Sequence, residues 1–209
     1  YPMRSLKMIA LLPILLSSVL LGAPNLEQQL ELCRQAVAGA ENEAEYDPAP
    51  CEMAAELGSP HANYVLGMYY DRKGDREKSG EHYQQAVARG FIWGHIGLGH
   101  LNIVQDPEQA ERHYRIVAES TDETAIVPLA FIGDLRVRAD EHQKAYSWFY
   151  ACAYFDTYAQ EFCQRKLQGQ EEILTNEKVQ LAIRDARPII EWFSDNKALN
   201  ADAGKAGAG

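Results

Sequence analysis

The sequence predicts an all-α protein, a solenoid of antiparallel helix pairs. Three observations predict it. An apolar-Gly pair recurs at Leu66-Gly67, Leu98-Gly99 and Ile132-Gly133, spaced 32 and then 34 residues apart. An aromatic recurs further on at Tyr83, Tyr114 and Phe149, spaced 31 and then 35. Polar connections fall between them at Arg72–Asp75, Val104–Pro107 and Arg138–Glu141, as short turns should. A period in the low-to-middle thirties is that of helix-turn-helix repeats. Gly67, Gly99 and Gly133 then sit inside first helices, where Gly costs about 1 kcal/mol relative to Ala. Close approach of helix backbones explains that cost, with Tyr83, Tyr114 and Phe149 as the partners from second helices.

The elements follow in order. Residues 1–23 read as a signal peptide. Met3 starts it, so Tyr1-Pro2 precede the native start; Arg4 and Lys7 supply the basic region, and Met8–Leu21 an uncharged apolar run. That run has about 14 residues, short of the roughly 20 that span a bilayer. Gly22-Ala23 offers a cleavage site, although Pro24 and Leu21 fit it poorly, so a retained anchor stays open as the alternative. Leu26–Ala38 carries a helical stripe of Leu26, Leu30, Cys33 and Val37. Glu41–Pro50 is an acidic loop, and Cys51–Leu57 begins the next helical stretch. Repeats fall at about 54–90, 91–120 and 124–156. Asp106-Pro107 supplies a cap and a first helical residue. Phe155–Leu167 reads as the first helix of a final unit, and Thr175 caps a last helix running to about Phe193. The helical domain is thus 24–193, and 194–209, small and polar, reads as a disordered tail.

The net charge is -10, from 30 acidic and 20 basic residues. Loss of Arg4 and Lys7 with the leader takes it to about -12. Such a chain repels phosphate backbones, so nucleic acid is not an expected partner, and anionic lipid headgroups are disfavoured for the same reason; no membrane span is expected in the mature form. Four cysteines, Cys33, Cys51, Cys152 and Cys163, fit export and disulfides. Three connectivities exist. The local pairing Cys33–Cys51 and Cys152–Cys163 is favoured because each pair would bridge adjacent antiparallel helices, with buried free thiols as the alternative.

No catalytic set, metal site or cofactor is expected. His95 and His100 are five residues apart, about 140° around a helix, and do not share a face. His82 and His113 occupy equivalent repeat positions and read as repeat architecture. Gly94-x-x-Gly97-x-Gly99 follows no strand and is not a dinucleotide fingerprint. Glu41, Glu43, Glu45 and Asp47 lack the Gly turn and late Glu of a calcium loop. Ser79 and Ser147 have no nucleophile-elbow context.

A binding surface does have a location. In stacked helix pairs the first helices line one face. His61, Val65, Met68 and Arg72 form one stripe there, and Trp93, Gly97 and His100, then Val127, Phe131 and Asp134, hold the equivalent places. Trp93 and Phe131 are large apolar groups suited to a peptide or partner helix. The competing reading packs both against neighbouring repeats.

The stretch Ala54–Gly90 resembles a Sel-one-like repeat, a relative of the tetratricopeptide repeat. The matching residues are Ala55-Glu-Leu-Gly58, Ala62, Leu66-Gly67, Tyr69-Tyr70, Glu77-Lys78, Tyr83, Ala86 and Gly90. The later repeats depart from the pattern at Trp93-Gly94 and Val127-Pro128. Ala145-Tyr-Ser-Trp-Phe-Tyr-Ala resembles the way such arrays end. The resemblance covers about Leu26–Phe193 and implies a right-handed superhelix acting as a protein-interaction scaffold or adaptor of the cell envelope, periplasmic or secreted. It also implies two alternatives: a structural component of a periplasmic ring of a flagellar motor, and a beta-lactamase-like hydrolase of the cysteine-rich repeat type. Those cysteine-rich members carry two Cys per repeat, and the first two repeats here carry none.

Overall fold

The computed structural model describes residues 25–39, 47–120, 125–155 and 158–206. The expected leader at 1–23 and the run Glu41–Glu45 lie outside them. The described residues form ten helices and no strand. They fall into two compact units that divide between Ser59 and Pro60.

The first unit holds α1 (Leu26–Gly39) and α2 (Ala49–Glu56), which pack on each other. Asn25 Oδ1 accepts the Glu27 amide at 2.9 Å, and Asp47 Oδ1 accepts the Ala49 amide at 3.0 Å, so both helices start on side-chain acceptors. Helices of this length do not persist alone in water. A disulfide between Cys33 and Cys51 ties the two together, with both cysteines fully buried.

The second unit holds α3 (Pro60–Arg72), α4 (Arg76–Ala88), α5 (Gly94–Asn102), α6 (Pro107–Ala118), α7 (Val127–Arg138), α8 (His142–Tyr154), α9 (Gln160–Glu171) and α10 (Asn176–Ala206). From α3 to α9 all successive helices pair along the chain: α3 with α4, α4 with α5, and so on to α8 with α9. The last helix, α10, packs back on α8.

Tight turns make the pairs antiparallel. After α3, the Gly74 amide bonds Asp71 O and the Asp75 amide bonds Tyr70 O, both at 2.9 Å. This closing motif needs a left-handed residue, and Gly74 supplies it at φ +78°. Asp75 then caps α4, its carboxylate accepting the Lys78 amide. The same motif ends α7, where Asp140 takes the left-handed position at φ 60° and the Glu141 amide bonds Arg136 O; Asp, with Asn, tolerates this region better than most residues. Asp106 and Pro107 start α6, with the Gln109 amide 2.8 Å from Asp106 Oδ1.

Glycines and aromatics fix how closely the pairs approach. A Cβ added at Gly67 would lie 2.5 Å from the Tyr83 ring, one at Gly99 2.3 Å from Tyr114 Cε1, and one at Gly133 2.4 Å from Phe149 Cε1. These are the three pairings the repeat spacing predicts. Gly97 adds a fourth, with its added Cβ 2.3 Å from Tyr83 Cε1. Tyr83 on α4 therefore lies against both α3 and α5. The main core continues through Tyr114, Val117, Ile126, Leu129, Ile132 and Phe149, all essentially buried.

A second disulfide, Cys152–Cys163, joins α8 to α9. Ser147 Oγ donates to Ala182 O at 2.9 Å, fastening α10 to α8. One boundary needs correction. The tail expected from 194 is helical through Ala206. Residues 198–206 hold four alanines, the strongest helix formers, and no proline, so the helix propagates without a stop signal. Its approach is also anchored: Asn196 Nδ2 donates to Trp192 O at 2.9 Å, and Lys197 Nζ to Ser120 O at 2.6 Å.

Candidate functional site

The residues expected to face a partner lie on α3, α5 and α7, or just before α5, and they do not share one environment. Val65 is buried at 7% exposure, which corrects its assignment to an accessible stripe: it packs beside Ala62 and Leu66 on the inner side of α3. His61 and Met68 are half-buried, and the His61 ring meets Phe91 edge-on at 5.6 Å. Trp93 caps α5 and is half-buried against the main core. Gly97 is buried under Tyr83.

His100 and Phe131 are brought together. Their rings stand edge to face at 4.9 Å, and both contact Tyr114, at 5.8 and 5.3 Å. His100 is exposed while Phe131 is half-buried, so the cluster presents an edge to solvent. Beneath it the Tyr114 hydroxyl is buried with no hydrogen-bond partner among the described residues. Burial raises the Tyr114 pKa, Asp134 adds to the rise and Arg138 opposes it. Packing against the rings lowers the His100 pKa by desolvation, against the pull of Asp71 and Asp134. Asp134 is in turn held by Lys166 Nζ, at 2.7 and 2.9 Å. The arrangement offers aromatic edges, an imidazole neutral at neutral pH and flanking carboxylates.

The other histidines divide differently from the repeat alignment. His82 stacks on Tyr70 at 5.3 Å and meets Asn63 Oδ1 at 3.1 Å. His113 instead meets His95, their Nδ1 atoms 2.9 Å apart. Equivalent positions therefore hold different chemistry. His95 and His113 are 18 residues apart, and only the antiparallel register of α5 and α6 brings them together.

A second polar cluster is structural. The Arg115 guanidinium lies 5.0 Å from the Trp148 ring and 5.1 Å from the Trp192 ring. Glu111 accepts from Arg115 at 2.8 Å and also binds Arg136. This joins α6, α7, α8 and α10.

Cys152 and Cys163 are both in a disulfide, so neither is a free thiol. The two disulfides suggest an oxidising, extracytoplasmic environment. Among the described residues no helix is long and apolar enough to cross a membrane, and no group of three or more His, Cys, Asp or Glu is placed to hold a metal ion. Comparison with protein-family models and with curated proteins finds no match for the chain.

Proposed function

We propose that this chain is an exported scaffold or adaptor of the cell envelope, a Sel-one-like solenoid that docks a partner peptide or helix on the face of its first helices. The observation that carries this reading is the His100–Phe131–Tyr114 cluster. It places an aromatic edge in solvent between carboxylates on neighbouring first helices, Asp71 on α3 and Asp134 on α7. Buried aromatic anchors with a polar rim are the anatomy of a binding hot spot. The recurring contact of a first-helix glycine with a second-helix aromatic supports the solenoid.

The test is recovery of envelope partners by crosslinking and pull-down with wild type, His100→Ala and Phe131→Ala. Circular dichroism establishes that each variant is folded. Both variants are expected to lose the partner. Unchanged recovery from folded His100→Ala and Phe131→Ala would overturn the proposed surface.

A further inference from the structure

The His95–His113 pair has a geometry that side-chain packing alone does not require. His95 is in the first turn of α5 and His113 in the middle of α6; both are half-buried, so the pair is reachable from solvent. The Nδ1 atoms are 2.9 Å apart and the ring centroids 5.1 Å apart. The centroid separation exceeds the nitrogen separation by about two imidazole radii. The two rings therefore point at one another head-on, tilted by 31°. Two lone pairs cannot face each other at this distance, so one Nδ1 carries a proton and donates it to the other.

A small cation that accepts two opposed lone pairs can take the place of that proton. We infer that His95 and His113 form a two-coordinate site for a monovalent soft cation, Cu(I) or its analogue Ag(I). Three observations favour that class over a divalent ion. Two opposed nitrogens define a line, whereas zinc wants four ligands in a tetrahedron. No further His, Cys, Asp or Glu among the described residues completes such a set. The Arg112 guanidinium acts on His113, and it repels a dication more than a monocation.

The rings must part a little. With metal–nitrogen bonds of about 2.0 Å, a linear site spans about 4 Å, so the nitrogens separate by about 1 Å. Two half-buried side chains on adjacent helices can do this by small rotations. The proton displaced from one Nδ1 moves to Nε2 of the same ring through solvent, so neutral rings bind without net proton release. Burial and the mutual proximity of the rings keep both neutral more readily than free imidazole: desolvation lowers both pKa values, His113 lowers that of His95 further, and Arg112 that of His113. The lone pairs are thus available at neutral pH. Every cysteine is in a disulfide, so no thiol competes.

The experiment uses the full, oxidised chain and silver ion as the redox-stable probe. Titration followed by calorimetry and by histidine ¹H–¹⁵N spectra should show one silver ion bound per chain, with the Nδ1 resonances of His95 and His113 moving together. His95→Gln or His113→Gln should weaken that event by about tenfold or more, whereas His100→Gln, His142→Gln and Met68→Leu leave it intact. The wild-type spectra stand even where a variant fails to fold. Silver shifts confined to other histidines would overturn the site, as would no saturable binding, unaltered affinity in a folded His95→Gln or His113→Gln variant, or tighter one-to-one binding of zinc than of silver at the same pair.

Discussion

Replacing Gly99 by Ala puts the packing logic at risk in a single atom. Ala is the better helix residue by about 1 kcal/mol, so propensity alone predicts a gain. The added Cβ, however, would lie 2.3 Å from Tyr114 Cε1 and 2.9 Å from Cζ. Tyr114 is wholly buried, with Phe131 and His100 against its ring, so it cannot swing aside. Overpacking of this kind costs about 1–3 kcal/mol, and here the clash is with a rigid ring, so the upper part of that range applies. The net expectation is a loss of about 1–2 kcal/mol after the propensity gain. Gly169→Ala is the matched control: it is also helical, in α9, and a Cβ there meets nothing within 4 Å. It should gain up to about 1 kcal/mol. Urea unfolding followed by far-ultraviolet circular dichroism measures both. The double variant Gly99→Ala/Tyr114→Leu should be less destabilised than the sum of its parts, because removing the ring removes the clash. Gly99→Ala as stable as Gly169→Ala would refute the claim that close approach explains the repeated glycines.

The remaining predictions concern covalent ties, charge and protonation. Reducing the two disulfides, which close spans of 18 and 11 residues, should cost about 3 kcal/mol each on the chain-entropy account, seen as a lower melting temperature in reductant; an unchanged melt would count against them as structural ties. Glu111→Gln should cost about 1–3 kcal/mol, since it weakens charged bonds to Arg115 and Arg136 around a largely buried carboxylate. The exposed Glu161–Arg165 pair gives the contrast: Glu161→Gln should change stability by no more than about 0.5 kcal/mol in the same urea melts. His95, His100 and His113 all have folded pKa values below the ordinary 6.5. The unfolded chain then binds more protons in acid, so the stability these groups contribute is full above pH 6.5 and is lost as pH falls through their lower folded values. The urea midpoint should drop between pH 7.5 and 5, with a shallower drop in His113→Gln; equal slopes would refute the assignment.

Much of this fold was legible because it rests on spacing. A glycine inside a helix is a cost without a local benefit, so its recurrence at Gly67, Gly99 and Gly133 points to a ring pressed against it, and Tyr83, Tyr114 and Phe149 are those rings. Gly97 gave no such signal because it stands outside the period, yet it lies equally close to Tyr83. Local pairing of the cysteines follows from short chain separation between antiparallel neighbours. The candidate surface was harder. Val65 and Met68 are three residues apart on α3, and whether each faces core or solvent depends on how α3 is rotated against α4, which periodicity leaves loose by one position. The His95–His113 contact was invisible for a different reason: it depends on the offset between two helices, set by the length and cap of the turn ending at Asp106. The helix beyond Phe193 was missed because a run of Ala, Asn, Asp and Gly reads as solvated chain until a preceding helix is there to propagate it.

An array in which every helix touches only its chain neighbours frays from both ends, one pair at a time. The last helix here is not so placed: α10 lies on α8, and Lys197 reaches the carbonyl of Ser120, 77 residues earlier. Its detachment therefore uncovers Ala182, Ala186 and Phe193 together with their seat on α8, and cannot proceed a turn at a time. Amide hydrogen exchange in the second unit should accordingly be lopsided. Protection should fade gradually through α3 and α4, while the amides of α8 and the anchored stretch of α10 through Phe193 share one opening event of higher energy. The stretch of α10 through Phe193 would then be the latch of the unit and, with α8, the last part to yield to a protease.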